Sequence, residues 1–176
     1  PMVLKFDTTK GPPENTNKIY LPLLGTVNVV IDWGDGSLPE KVTAAGLKSY
    51  MYKKAGTYTV EINGTLSGFG METNGSSLGK VLIEVVSFGE IGTTTFSYTF
   101  IQADNLTKVP NVLPSGVTNL EGMFETAKNF NSDISGWDVS SVTNMSRMFH
   151  IAKGFNKDIS GWDVSSVNSA NLMFFG

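Results

Sequence analysis

Four aspartates recur at fixed spacing in the second half of the chain, Asp133 with Asp158 and Asp138 with Asp163. Paired carboxyls are the equipment of glycoside hydrolysis, where one protonates the leaving group and the other attacks or activates water. That chemistry needs two unlike environments, so that one group stays protonated while its neighbour stays ionised. These residues recur with one period and meet like surroundings, which rules out a catalytic pair. Columns of like charge need a bound cation or bonds from backbone N–H groups, and the second is the simpler solution. Asp32 and Asp35, in IDWGDGS, offer two oxygens to a Ca2+ ion. The competing reading has Asp35 bonding its own turn backbone. No EF-hand spacing follows, so the turn reading is preferred and Ca2+ is a secondary expectation. His150 is the single histidine and cysteine is absent. The Gly-rich GTLSGFG lacks the P-loop Lys and reads as a loop. No enzyme is expected.

Trp137 and Trp162 hold equivalent positions, each followed by Asp. Stacked, they would form an aromatic strip on which a glycan lies. A repeated Trp more often packs at a corner with its indole N–H bonded locally, and that reading is preferred.

The elements that must position these residues repeat. FNSDISGWDVSSV, from Phe130, returns as FNKDISGWDVSSV from Phe155. Ile134 corresponds to Ile159, Val142 to Val167, and Met148-Phe149 to Met173-Phe174. With a one-residue deletion the register continues backwards through Leu106, Val117 and Met123-Phe124, while Ala103, Ala127 and Ala152 share one small position. About three and a half units of ~25 residues result. Within a unit, Val142, Met145, Met148, Phe149 and Ala152 are spaced by three and four, which predicts a short helix or 3-10 turn. FNxDIS predicts a short strand with Phe155 and Ile159 inward, and Gly161-Trp162-Asp163 a corner. One unit cannot bury both its faces, so the units must stack, with strands ~4.8 Å apart in a parallel sheet. The last unit ends on Met173-Phe174-Phe175-Gly176 without a polar cap, as a fragment of a longer array would.

The first half reads differently. KIYLPLLG and TVNVVIDW are apolar and β-branched, and the second alternates over Val27, Val29 and Ile31. Gly34-Asp35-Gly36-Ser37 is a tight turn. AGTYTVEING sets Tyr58, Val60 and Ile62 on one face and Thr57, Thr59 and Glu61 on the other, as an antiparallel sandwich with one wet face requires. GFGMETNGSSLG, between about Ser67 and Gly79, reads as a linker, and Lys80–Phe88 as a strand entering the repeats.

Charged residues make up 16% of the 176, against ~25% in ordinary soluble domains. Nineteen glycines, with many Ser, Thr and Asn, supply neutral polarity that suits strands and turns. The net charge of −3 and scattered basic residues argue against a nucleic-acid partner. The longest apolar runs, about five residues, fall far short of the ~20 that span a bilayer.

IDWGDGS followed by KKAGTYTVEI resembles the PKD-like, immunoglobulin-type modules of extracellular proteins, over roughly Lys18 to Gly64. FN-x-DISGWDVSSVTNMS-x-MF-x-x-A-x-x-FN resembles the repeat of the BspA-like bacterial surface proteins (the DUF285 or 26-residue surface-protein repeat group), relatives of leucine-rich repeats. The resemblance implies display on a cell surface, adhesion to host or matrix proteins, and no enzymatic activity. The expected fold is mainly β with short helices. A PKD-like β-sandwich over 1–70 precedes a right-handed, leucine-rich-repeat-like solenoid over 80–176. Binding would use side chains that vary between otherwise equal strands, namely Thr107 and Lys108, Asn131 and Ser132, and Asn156 and Lys157. The expected partner is an extracellular or host-surface protein. The alternatives are a glycan on the Trp137/Trp162 strip, as in an accessory module of a larger secreted protein, and a spacer without ligand.

Overall fold

The computed structural model describes residues 1–13, 17–72 and 78–176. Six strands form one open antiparallel sheet: β1 (Met2–Asp7), β2 (Lys18–Asp32), β3 (Glu40–Val42), β4 (Gly46–Met51), β5 (Thr57–Phe69) and β6 (Leu82–Ser87). Their order is β3-β2-β5-β1-β6, with β4 on the start of β2. The protein is mainly β. Its helical content is slight, in 3-10 turns such as Thr8–Lys10 and Gly79–Val81. Among the described residues no helix is long and apolar enough to cross a membrane.

The sheet follows from alternation. Met2, Leu4 and Phe6 of β1, Val27, Val29 and Ile31 of β2, and Val60 and Ile62 of β5 are buried, while their neighbours face outward. The sandwich predicted for 1–70 is not what forms, since the strands share one sheet. The length of β2, 15 residues, is the reason. It takes β4 along Lys18–Leu23 and β3 along Val29–Ile31 on one edge, and β5 from Leu23 to Asp32 on the other. A single strand thus spans what two facing sheets would divide. The predicted tight turn does form, with Gly34 and Gly36 at φ +74 and +80. A Cβ on Gly34 would stand 2.1 Å from the Thr59 carbonyl oxygen, so that turn tolerates only glycine.

The segment predicted as a linker is partly structural. Ser67–Phe69 complete β5, Gly70 donates to the Pro22 carbonyl at 3.0 Å, and Met71 to Ser97 at 2.8 Å. Residues 73–77 of it lie outside the described residues. Strand β6 serves both halves. It pairs with β1, and it meets the first repeat where Val85 donates to Lys108 at 2.9 Å and Thr107 to Ile83 at 3.3 Å.

In the second half, single parallel bridges link Gly68, Thr95, Asn119, Asn144 and Ser169 in succession. These rungs run through the segment predicted as a helix, and FNxDIS, predicted as the strand, forms none. From Met145 onward, alternate N–H groups bond sideways. Met145, Arg147, Phe149 and Ile151 donate to Ser169, Asn171, Met173 and Phe175 at 2.8–2.9 Å. The intervening groups close tight turns, as His150 to Arg147 at 3.0 Å and Ala152 to Phe149 at 3.0 Å. This alternation needs left-handed backbone at every fourth residue. Arg147 and Ile151 have φ +59 and +56, and Gly122, Thr126, Tyr98 and Gln102 repeat the same two positions in earlier units. For residues other than glycine each such position costs about 1–2 kcal/mol. The three-and-four spacing of Met145, Met148, Phe149 and Ala152 still turns them inward. Only the backbone carrying them differs, because the preceding unit captures carbonyls that a helix would keep, as Gly122 takes that of Ser146 and Phe124 that of Met148.

The buried residues of both halves form one continuous hydrophobic cluster. A phenylalanine column, Phe100, Phe124, Phe149 and Phe174, stacks at 5.5–5.8 Å through its centre.

Candidate binding face

Thr107, Lys108, Asn131, Asn156 and Lys157 are exposed in successive units. Lys108 pairs with Glu84 at 3.0 Å and leaves 72% of its side chain open. Along this face side chains replace the missing backbone ladder. Asn131 Oδ1 accepts the Asn156 N–H at 2.9 Å. Ser132 is a correction to the predicted set, being only 8% exposed. Its hydroxyl accepts the Val109 N–H at 3.1 Å and donates to the Val109 carbonyl at 3.2 Å. A short hydroxyl bridges the gap that Lys157, one unit on, does not fill, so Ser132 holds the face together.

The aspartate columns behave as turn residues. Asp133, Asp138, Asp158 and Asp163 accept the N–H of Ser135, Ser140, Ser160 and Ser165 at 2.9–3.1 Å. These bonds pull all four carboxyls below the ordinary aspartate range. The serine N–H leads at Asp133 and Asp158, and the serine hydroxyl at Asp138 and Asp163. Asp32 and Asp35, the Ca2+ candidates, do the same in their own turn, accepting from Gly34 at 2.9 Å and Ser37 at 3.0 Å. Tyr50 adds a bond to Asp35 at 2.9 Å. Among the described residues no group of three or more His, Cys, Asp or Glu is gathered as a metal site.

Trp137 and Trp162 stack with ring centroids 6.3 Å apart and planes 3° from parallel. They are 3% and 8% exposed, and their indole N–H groups donate to the carbonyls of Pro110 at 2.8 Å and Ile134 at 3.1 Å. A sugar platform needs open ring faces, and these faces lie in the core.

One cluster escaped the sequence reading. Glu125 is buried, and its carboxylate takes two bonds from Arg147, at 2.5 and 3.1 Å, and one contact from His150 Nδ1 at 3.0 Å. Arg147 is held more firmly in its charged form by that carboxylate. Beside it Glu121 accepts from Tyr98 at 2.9 Å and Asn144 at 3.0 Å. Burial, then the Glu121 bond, pushes the Tyr98 hydroxyl up to about 12. The signal was in the repeat alignment, which stacks Glu125, His150 and Phe175 in one column. The column is real, since His150 also stacks on Phe175 at 5.8 Å. Arg147 and His150 reach back to Glu125 of the preceding unit, so the cluster couples units.

Residues 94–176 match the family model described as "Mycoplasma protein of unknown function, DUF285". The match covers the repeat half alone, and it begins beside Thr95, the first rung after β5. No curated protein and no solved structure gives a match.

Proposed function

We propose that this chain is a non-catalytic binding module of a cell-surface or secreted protein, its repeats stacking as a BspA-like, leucine-rich-repeat-like solenoid behind a PKD-like first half. The DUF285 match and the unit-to-unit bridges support the solenoid, and the IDWGDGS and GTYTV motifs support the first half. The observation that carries the reading is the division of labour within a unit. Phe, Met and Trp columns are committed to the core, while Thr107, Lys108, Asn131, Asn156 and Lys157, at two positions that read Thr-Lys, Asn-Ser and Asn-Lys in successive units, stay in water. Such a face suits an extracellular or host-surface protein.

The test is binding to an array of extracellular-matrix and host-surface proteins. The comparison variant carries Thr107→Ala, Lys108→Ala, Asn131→Ala, Asn156→Ala and Lys157→Ala together. A partner whose affinity falls about tenfold or more in the variant, with thermal melting unchanged, supports the reading. A partner bound equally by both chains, or no partner at all, sinks it.

A further inference from the structure

Three lysines far apart in sequence converge at one edge of the molecule. Lys10 closes the 3-10 turn Thr8–Lys10, and Lys80 sits in the 3-10 turn Gly79–Val81. These two turns pack against each other. Lys128 follows two units further along the stack. Two adjoining hollows result, one lined by Lys10, Pro12, Pro13, Lys80 and Gln102, the other by Lys80, Gln102, Thr126 and Lys128 together with Asp104. They share Lys80 and Gln102, so they read as a single groove.

The groove is built. The Lys80 carbonyl is fixed by the Asn105 amide at 2.8 Å, and one unit on the Asp104 carbonyl is fixed by Asn129 in the same way at 2.8 Å. All three lysines are exposed, and none forms an ion pair among the described residues. Carboxylates on the same stretches are already engaged. Asp7 accepts from the Thr9 N–H at 3.1 Å and hydroxyl at 2.6 Å, and Asp104 accepts the Lys128 N–H at 3.4 Å. Asp104 keeps its charge, so the three lysines and this one carboxylate leave the groove with a local excess of two positive charges on a protein of net charge −3. Between the charges lie neutral hydrogen-bonding groups, the Gln102 amide and the Thr126 hydroxyl, and two proline faces.

We propose that this groove binds an anionic polysaccharide, with Lys10, Lys80 and Lys128 taking its sulfate or carboxylate groups and Gln102 and Thr126 meeting ring hydroxyls. Charge spaced along a strip fits a linear polyanion better than a single small anion, and the interleaved amide and hydroxyl suit sugar rings. The site is distinct from the face of Thr107, Lys108 and Lys157, and its fate is independent of that protein-binding reading.

The test is affinity for a fluorescent heparin oligosaccharide at two salt concentrations. Beside the native chain stand Lys10→Gln/Lys80→Gln/Lys128→Gln and a control of equal charge, Lys41→Gln/Lys53→Gln/Lys54→Gln. Binding should weaken as salt rises. It should fall about tenfold or more in the first variant and less than about twofold in the control. Amide shifts on titrating the native chain should centre on Gly11, Gly79, Gln102 and Thr126, a readout that survives misfolding of a variant. Equal loss in both variants, shifts elsewhere, or no binding to heparin overturns the proposal. Tighter binding of poly-glutamate than of heparin overturns the commitment to a polysaccharide.

Discussion

The two halves solve one problem, pairing backbone groups, at different ranges. In the sheet a strand pairs with strands reached through turns and loops, as β2 with β3 and β4, and side chains alternate about the plane except where the register shifts between Leu24 and Val27. In the repeat half the partner is the equivalent residue of the next unit, 25 residues away for Thr143 and Thr118. That arrangement demands strained backbone at Arg147 and Ile151 that the sheet never needs. Repetition makes the strain bearable, because each unit supplies its neighbour with bonds and a ring to stack on.

The largest expected effect tests whether the halves are separate at all. Trp137 touches Trp162 at 6.3 Å and Phe88, at the end of β6, at 5.9 Å. Trp137→Ala should cost about 3–5 kcal/mol. Because the core is continuous, urea unfolding should remain a single transition by circular dichroism and by amide exchange of β1 and β5. Protected β-sheet amides after the repeats have melted would break the halves apart. Next is charge. Glu125→Ala leaves Arg147 and His150 without their carboxylate and should cost about 2 kcal/mol, less than a fully buried pair because the Arg147 side chain is 33% exposed. The sheet's pair, Lys48 with Glu40, lies nearer water, and Glu40→Ala should cost under about 0.5 kcal/mol in the same denaturation assay. Equal costs would erase this contrast.

Ser132→Ala should cost about 1 kcal/mol and speed exchange of the Val109 amide, since no other hydroxyl reaches that gap. Smallest is the acid response. The four repeat aspartates have folded values below the unfolded one near 3.9, so their contribution is present above that pH and fades as pH falls through the lower folded values. Replacing all four by Asn should flatten the loss of denaturation midpoint below pH 4. An unchanged slope would mean that other groups govern acid unfolding.

What the sequence made legible was side-chain direction. Tyr58, Val60 and Ile62 face inward as the alternation requires, and the repeat register placed every stacked Phe and Trp. Backbone partners were not legible. Val142 to Ala152 has the spacing of a helix, and consecutive turns present the same side chains to the same core. Which backbone forms depends on where the carbonyls go, and the neighbouring unit decides that. Strands β3 and β4 carry almost no apolar face and exist because β2 lends them an edge. The alternation of Met2, Leu4 and Phe6 was present, but it lies outside the segment that the resemblance covers. Glu125 and His150 stood in one column of the alignment. Only geometry shows that a bidentate Arg147 joins them.

Most sideways bonds of the repeats run one way. In each unit four N–H groups donate to the later unit, from Phe96 to Asn119 through to Ile151 and Phe175, while one carbonyl is bonded back, Thr94 by Thr118 and Thr118 by Thr143. The majority leaves a net peptide dipole along the stack, as along a helix axis. The repeat half is an electrically polarised rod, negative toward β5 and positive toward Phe175. The N–H groups that Leu66, Phe69 and Met71 offer to the first rung are the terminal that quenches its negative pole.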